Sequence, residues 1–247
     1  MLRRLPRLAI YGLGVVLGGL TGCVTPHPVA DDYFSGTYLE AAQAIVANDM
    51  AQLQEAVKRL DDIDAPGEKG MTLLWFAMSN ERFEAVRTLI ELGSDPTGQV
   101  AKGLGTPILV ALQHKDTRHL EAILEGGFDP NWQSEGGTPL IHEAAGPAGH
   151  TLEHTKLLLD YGADVNARDS LRSTPLLEAI STHKPAVAEY LVEQGADVNA
   201  YTINGVSMMW AVHSIIERQS PGTPLRRDFE RLRDLMIEKG AKYPPDP

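Results

Sequence analysis

The chain has 247 residues, 43% hydrophobic and 22% charged, with 22 basic residues against 33 acidic ones. These proportions fit a soluble globular chain and exclude wholesale disorder or a polytopic membrane protein. The net charge of −11 lacks the basic excess that binding to nucleic acid needs, and a single cysteine, Cys23, excludes an intramolecular disulfide or a multi-cysteine metal site.

The first segment reads as an address rather than a part of the fold. Arg3, Arg4 and Arg7 precede an uncharged apolar run from Leu8 to Leu20, the layout of an export signal over residues 1–22. A membrane-spanning helix needs roughly 20 apolar residues, and this shorter run is loosened by Gly12, Gly14, Gly18 and Gly19. It ends in Leu20-Thr21-Gly22-Cys23, which resembles the lipobox of bacterial lipoproteins. The resemblance implies cleavage before Cys23, acylation of its thiol and a periplasmic, lipid-anchored protein. The alternative is a small buried cysteine beside an ordinary cleavage site. In the lipoprotein reading, Val24 is not the Asp that commonly retains such proteins at the inner membrane, so the outer membrane is favoured. Two or more acyl chains give stable anchoring. Residues 23–35, with Pro26 and Pro28, show no helical period and are expected to form a flexible tether between lipid and body.

The body, residues 36–247, repeats itself. Ala41 to Val46 and Leu53 to Leu60 read as an N-terminal capping helix pair. Gly-Ala-Asp-Val-Asn-Ala then occurs verbatim at Gly162 and again 33 residues later at Gly195, with weaker copies at Gly93, Gly127 and Gly240. A second landmark recurs at Thr72, Thr106, Thr138, Thr174 and Ser207, followed by Pro in three copies. From this landmark to the next glycine is 21 residues in three repeats, 24 from Thr138 and 33 from Ser207, so the last two carry insertions. Thr or Ser can cap a helix, Pro loses nothing at its first position, and glycine can take the left-handed conformation that ends it.

These landmarks resemble ankyrin repeats, whose Thr-Pro-Leu-His-x-Ala signature opens the first of two antiparallel helices. The resemblance implies an all-α solenoid of stacked helix pairs joined by hairpins, here the capping pair plus about five repeats. The histidine of that signature is absent: Trp75, Leu109, Ile141, Leu177 and Trp210 stand there, and His142 comes one residue later. Trp75 and Trp210 are expected to be packing residues. The longer insertion, Glu217 to Asp228, reads as a long, locally basic connection that either meets a partner or covers the end of the stack.

Catalytic patterns do not emerge. Gly205-Val206-Ser207-Met208-Met209 lacks the second glycine of a hydrolase elbow, and Ser207 is better explained as a helix cap. His150 and His154 share a helix spacing without further zinc ligands, and are expected to be surface histidines. His142 and Glu143 are neighbours that point in different directions on a helix. The glycines never cluster as a phosphate-cradling loop. The sequence is therefore read as a non-enzyme with no cofactor, no metal, no small-molecule substrate and no nucleic acid.

Such an array mostly binds other proteins. By resemblance, contacts fall at the hairpins, on Trp132, Gln133 and Glu135, on Arg168, Asp169 and Arg172, and on Tyr201, Ile203 and Asn204. On the exposed face of the first helices they fall on His142, Glu178 and Ser181. Trp, Tyr and Arg dominate interface energetics, although each could equally serve hairpin packing. The lipobox and the array together resemble the periplasmic immunity lipoproteins that accompany phospholipase effectors of type VI secretion systems. The implied role is stoichiometric inhibition of a secreted lipase at the membrane. The alternative is a periplasmic ankyrin scaffold supporting a resident envelope or oxidative-stress enzyme such as a catalase.

Overall fold

A computed structural model describes residues 27–98, 105–146 and 152–243. The signal segment, Cys23, the first tether residues and His150 lie outside the described residues. Among the described residues six helix pairs follow one another: α1 (Gly36–Ala47) with α2 (Met50–Val57), α3 (Leu73–Ser79) with α4 (Phe83–Glu91), and α5 (Pro107–Gln113) with α6 (Arg118–Glu125). The second half adds α7 (Leu140–Ala145) with α8 (Leu152–Asp160), α9 (Pro175–Ser181) with α10 (Pro185–Glu193), and α11 (Met208–Arg218) with α12 (Pro224–Glu238). The described residues contain no strand, only isolated bridges between Gln133 and Pro139 and between Tyr201 and Ser207. None of their helices is long and apolar enough to cross a membrane.

The helix boundaries follow from local chemistry. The hydroxyls of Thr72, Thr106, Thr174 and Ser207 accept from the N–H groups of Trp75, Leu109, Leu177 and Trp210, satisfying donors that the first turn leaves open. Gly93, Gly127, Gly162, Gly195 and Gly240 follow the second helices at φ between 92° and 98°. A Cβ on any of them would meet nothing within 4 Å, so backbone conformation, not space, calls for glycine there. Thr138 departs from the expected capping role. Its carbonyl accepts from Ser134 N–H, its own N–H donates to Ser134 Oγ, and Leu140 N–H donates to the Trp132 carbonyl. The hairpin thus runs one residue further, and α7 starts at Leu140 behind Pro139 with no side-chain cap.

The apolar interior divides into two clusters. Leu73, Phe76, Leu89, Ile108, Leu120, Ile123 and Leu140 are fully buried in a cluster that runs from Ala30 to Ala163. A second cluster runs from Ala145 through Leu176, Leu191 and Met208 to Phe229 and Ala241. The two meet at α7, whose Ala144 belongs to the first and Ala145 to the second, and Leu159 on α8 packs against both.

Two expectations need correction. Residues 27–35 do not behave as a free tether: Ala30–Asp32 forms a 3-10 turn, and Ala30 and Phe34 are buried. The Phe34 ring meets Phe76 edge-on at 5.4 Å, because one aromatic side chain offers enough apolar area to hold a short segment against the first pair. The segment Glu217 to Asp228 is not a long connection either. Helix α11 continues through Arg218 and α12 starts at Pro224, leaving five residues between them. Arg226 Nη1 donates to the carbonyls of Ile216 and Gln219 at 3.1 and 2.9 Å, so part of the basic charge there closes the end of α11.

Candidate functional site

The hairpins are tied to one another by a repeated side chain. Asn131 Nδ2 donates to the Gly162 carbonyl at 3.0 Å, and its Oδ1 accepts from Asp164 N–H at 2.8 Å. Asn166 makes the same pair of bonds to Gly195 and Asp197, and Asn199 to Gly240 and Lys242. Near the N-terminus Asp64 holds Ser94 Oγ and Asp95 N–H instead. This ladder gives the recurring Asn of the Gly-Ala-Asp-Val-Asn-Ala motif a physical task. It sets the spacing of the surface that the hairpins present.

On that surface the expected contact residues separate into different roles. Gln133, Glu135, Arg168, Arg172, Tyr201, Ile203 and Asn204 are exposed, while Trp132 is half-buried against Phe128. Asp169 shapes its turn: one carboxylate oxygen accepts from Leu171 N–H at 2.9 Å and Ser173 N–H at 2.7 Å, while Arg172 adopts φ 59°. Arg168 reaches to 3.8 Å from Asp197 on the next hairpin. Leu171, outside the expected contact set, is 56% exposed. Its carbonyl accepts from Ile203 N–H at 2.9 Å, so neighbouring tips carry Leu171, Tyr201 and Ile203 together. An apolar residue in a turn between Asp169 and Arg172 was the available signal.

On the first helices the outcome differs from the expected exposed face. Ser181 is exposed, and it lines a groove of about 260 Å³ with Ile180, Trp210 and Arg218. Trp75 packs beside the core, whereas Trp210 stays 39% exposed in this groove. His142 is only 2% exposed, not a surface contact. The late start of α7 makes His142 its third residue, where the histidine of Thr-Pro-Leu-His would stand, and Nε2 donates to the Ala167 carbonyl at 2.8 Å. His154, expected on the surface, is fully buried on α8.

Three of the expected contact residues therefore converge. A ring nitrogen of His142 and one carboxylate oxygen each of Asp169 and Glu178 lie within 4.8 Å of one another. Glu178 is half-buried on α9, and its Oε1 accepts from Ser173 Oγ at 3.1 Å.

Comparison with known proteins agrees with this architecture. The family profile described as Ankyrin repeats (3 copies) matches residues 108–202. The B-cell lymphoma 3 protein homolog of Mus musculus is 27% identical over 208 residues, which is 78% of this chain and 45% of that protein. The chain thus spans less than half the length of this relative. Protein PhlB of Serratia liquefaciens is 30% identical over 180 residues, 71% of this chain and 77% of that one. A crystal structure of an ankyrin repeat domain from Acinetobacter baumannii superposes with a TM-score of 0.58 at 24% identity, covering 82% of this chain and 98% of that domain. Helix pairs, capped starts, left-handed glycine ends and these likenesses agree: the chain belongs to the ankyrin-repeat family, whose arrays are protein-binding modules.

Proposed function

We propose that the protein is a lipid-anchored periplasmic immunity protein that binds a phospholipase toxin of a type VI secretion system and blocks it one to one. The observation that carries this reading is the row Leu171, Tyr201 and Ile203 on neighbouring hairpin tips, 56%, 42% and 62% exposed. Apolar and aromatic side chains held out on rigid turns are what a protein interface buries at its centre, with Arg168 and Arg172 beside them as rim charges. The net charge of −11 favours fast capture of a basic partner by electrostatic steering. The lipobox-like Leu20-Thr21-Gly22-Cys23 supports anchoring where an incoming lipase would act.

The test is capture of partners on the purified mature protein, followed by a lipase assay. A captured lipase should lose activity in full at an equimolar ratio. A Leu171→Asp, Ile203→Asp double variant should raise the concentration needed by at least about ten-fold, since central interface residues each contribute above 1 kcal/mol. Recovery of only resident envelope enzymes such as a catalase, without inhibition, overturns the immunity reading in favour of a scaffold.

A further inference from the structure

The geometry points to a divalent transition-metal site, suited to Zn²⁺, formed by His142, Asp169 and Glu178 at the junction of α7, the hairpin between α8 and α9, and α9 itself. Ligand atoms of the three residues already lie within 4.8 Å of one another, though the residues are up to 36 positions apart in sequence. They do not form a solvated acidic patch. The imidazole is 2% exposed and both carboxylates are partly buried. A neutral imidazole nitrogen beside two carboxylate oxygens is a mixed donor set of the kind a divalent transition metal takes.

The hydrogen bonds prepare each ligand. A backbone carbonyl only accepts, so the bond from His142 Nε2 to the Ala167 oxygen fixes the proton on Nε2. The neutral ring then keeps its lone pair on Nδ1, the nitrogen that a cation would take. Metal-bound histidines typically donate their other ring N–H to a carbonyl or carboxylate in this way. Asp169 Oδ1 is held by Leu171 and Ser173 N–H, and Glu178 Oε1 by Ser173 Oγ, leaving one further oxygen on each carboxylate. One nitrogen and two oxygens with water completing the shell suit Zn²⁺, and suit Ca²⁺ or Mg²⁺ poorly because these prefer oxygen alone.

The position gives the site a purpose. It bridges the place where the apolar core divides into its two clusters, and it fixes the hairpin that carries Leu171 and Arg172. The cation acts as a staple across that junction, and it does not depend on which partner the hairpins bind.

The experiment is calorimetric titration of chelator-treated protein with ZnCl₂, together with thermal unfolding at each zinc concentration. One Zn²⁺ per chain is expected, with a midpoint that climbs as zinc is added. Glu178→Gln should weaken zinc binding by more than about ten-fold, since even partners of metal ligands cost that much when removed. Its metal-free midpoint should stay close to that of the parent, while Glu143→Gln, one residue from His142 and outside the cluster, should bind normally. No saturable binding overturns the site. So does equal affinity in Glu178→Gln, which would place zinc on exposed histidines such as His114 and His183.

Discussion

Replacing Asn166 with alanine removes two hydrogen bonds between consecutive hairpins: the one Nδ2 donates to the Gly195 carbonyl at 3.3 Å, and the one Oδ1 accepts from Asp197 N–H at 2.7 Å. The Asn166 N–H keeps its bond to Asp164, so the turn itself survives. Each lost bond is worth about 1 kcal/mol net, and water reaches the groups left behind, which gives a destabilisation of about 1–2 kcal/mol. In a solenoid this loss falls on one interface between neighbours rather than on every repeat. Urea unfolding followed by far-ultraviolet circular dichroism should show a lower midpoint with an unchanged slope. Asn199→Ala should cost less, because its two bonds couple only the final turn to the array. If Asn166→Ala stays within about 0.5 kcal/mol of the parent, the ordinary scatter of surface substitutions, the ladder is incidental and the reasoning fails.

Phe34→Ala should lower stability by about 3–5 kcal/mol, since a buried aromatic that meets Phe76 edge-on is lost; an unchanged urea midpoint would restore the tether reading. His119 supplies a pH dependence. Burial holds its pKa below the ordinary histidine value, its Nε2 donates to the Met78 carbonyl at 3.1 Å, and its buried Nδ1, once protonated, would have no acceptor for its N–H. The unfolded chain therefore binds the proton more readily. Stability is full above about pH 6.5 and falls as pH drops from there toward the depressed folded value. Urea midpoints across this range should decline less steeply in His119→Gln, and an identical slope in the variant would sink the assignment.

Much of the fold was legible because its determinants act over a few residues. A hydroxyl caps the N–H three positions on, glycine ends a helix through its own φ, and an apolar face repeats every turn, so Thr106-Pro107 and Gly127 each mark a boundary without help from elsewhere. The candidate site was legible only in part. Arg168, Tyr201 and Ile203 were placed at hairpins and stand exposed there, because hairpin tips are solvated whatever packs beneath them. Trp132 and Asp169 were placed there too, yet the turn and its packing engage them.

Other features depended on tertiary structure. Nothing local reveals that α7 begins one residue late, a shift of about 100° around the helix that carries His142 from the surface to the Ala167 carbonyl. Phe34 reads as tether until Phe76, 42 positions on, supplies a surface to bury it. The Asn ladder joins residues about one repeat apart, and the gathering of His142, Asp169 and Glu178 needs three segments to pack at one junction. The period, the helix ends and the binding-array architecture are written in the chain, since short-range sterics and hydrogen bonds encode them. Which polar side chains face inward, and which meet, follows instead from how one repeat is rotated against the next.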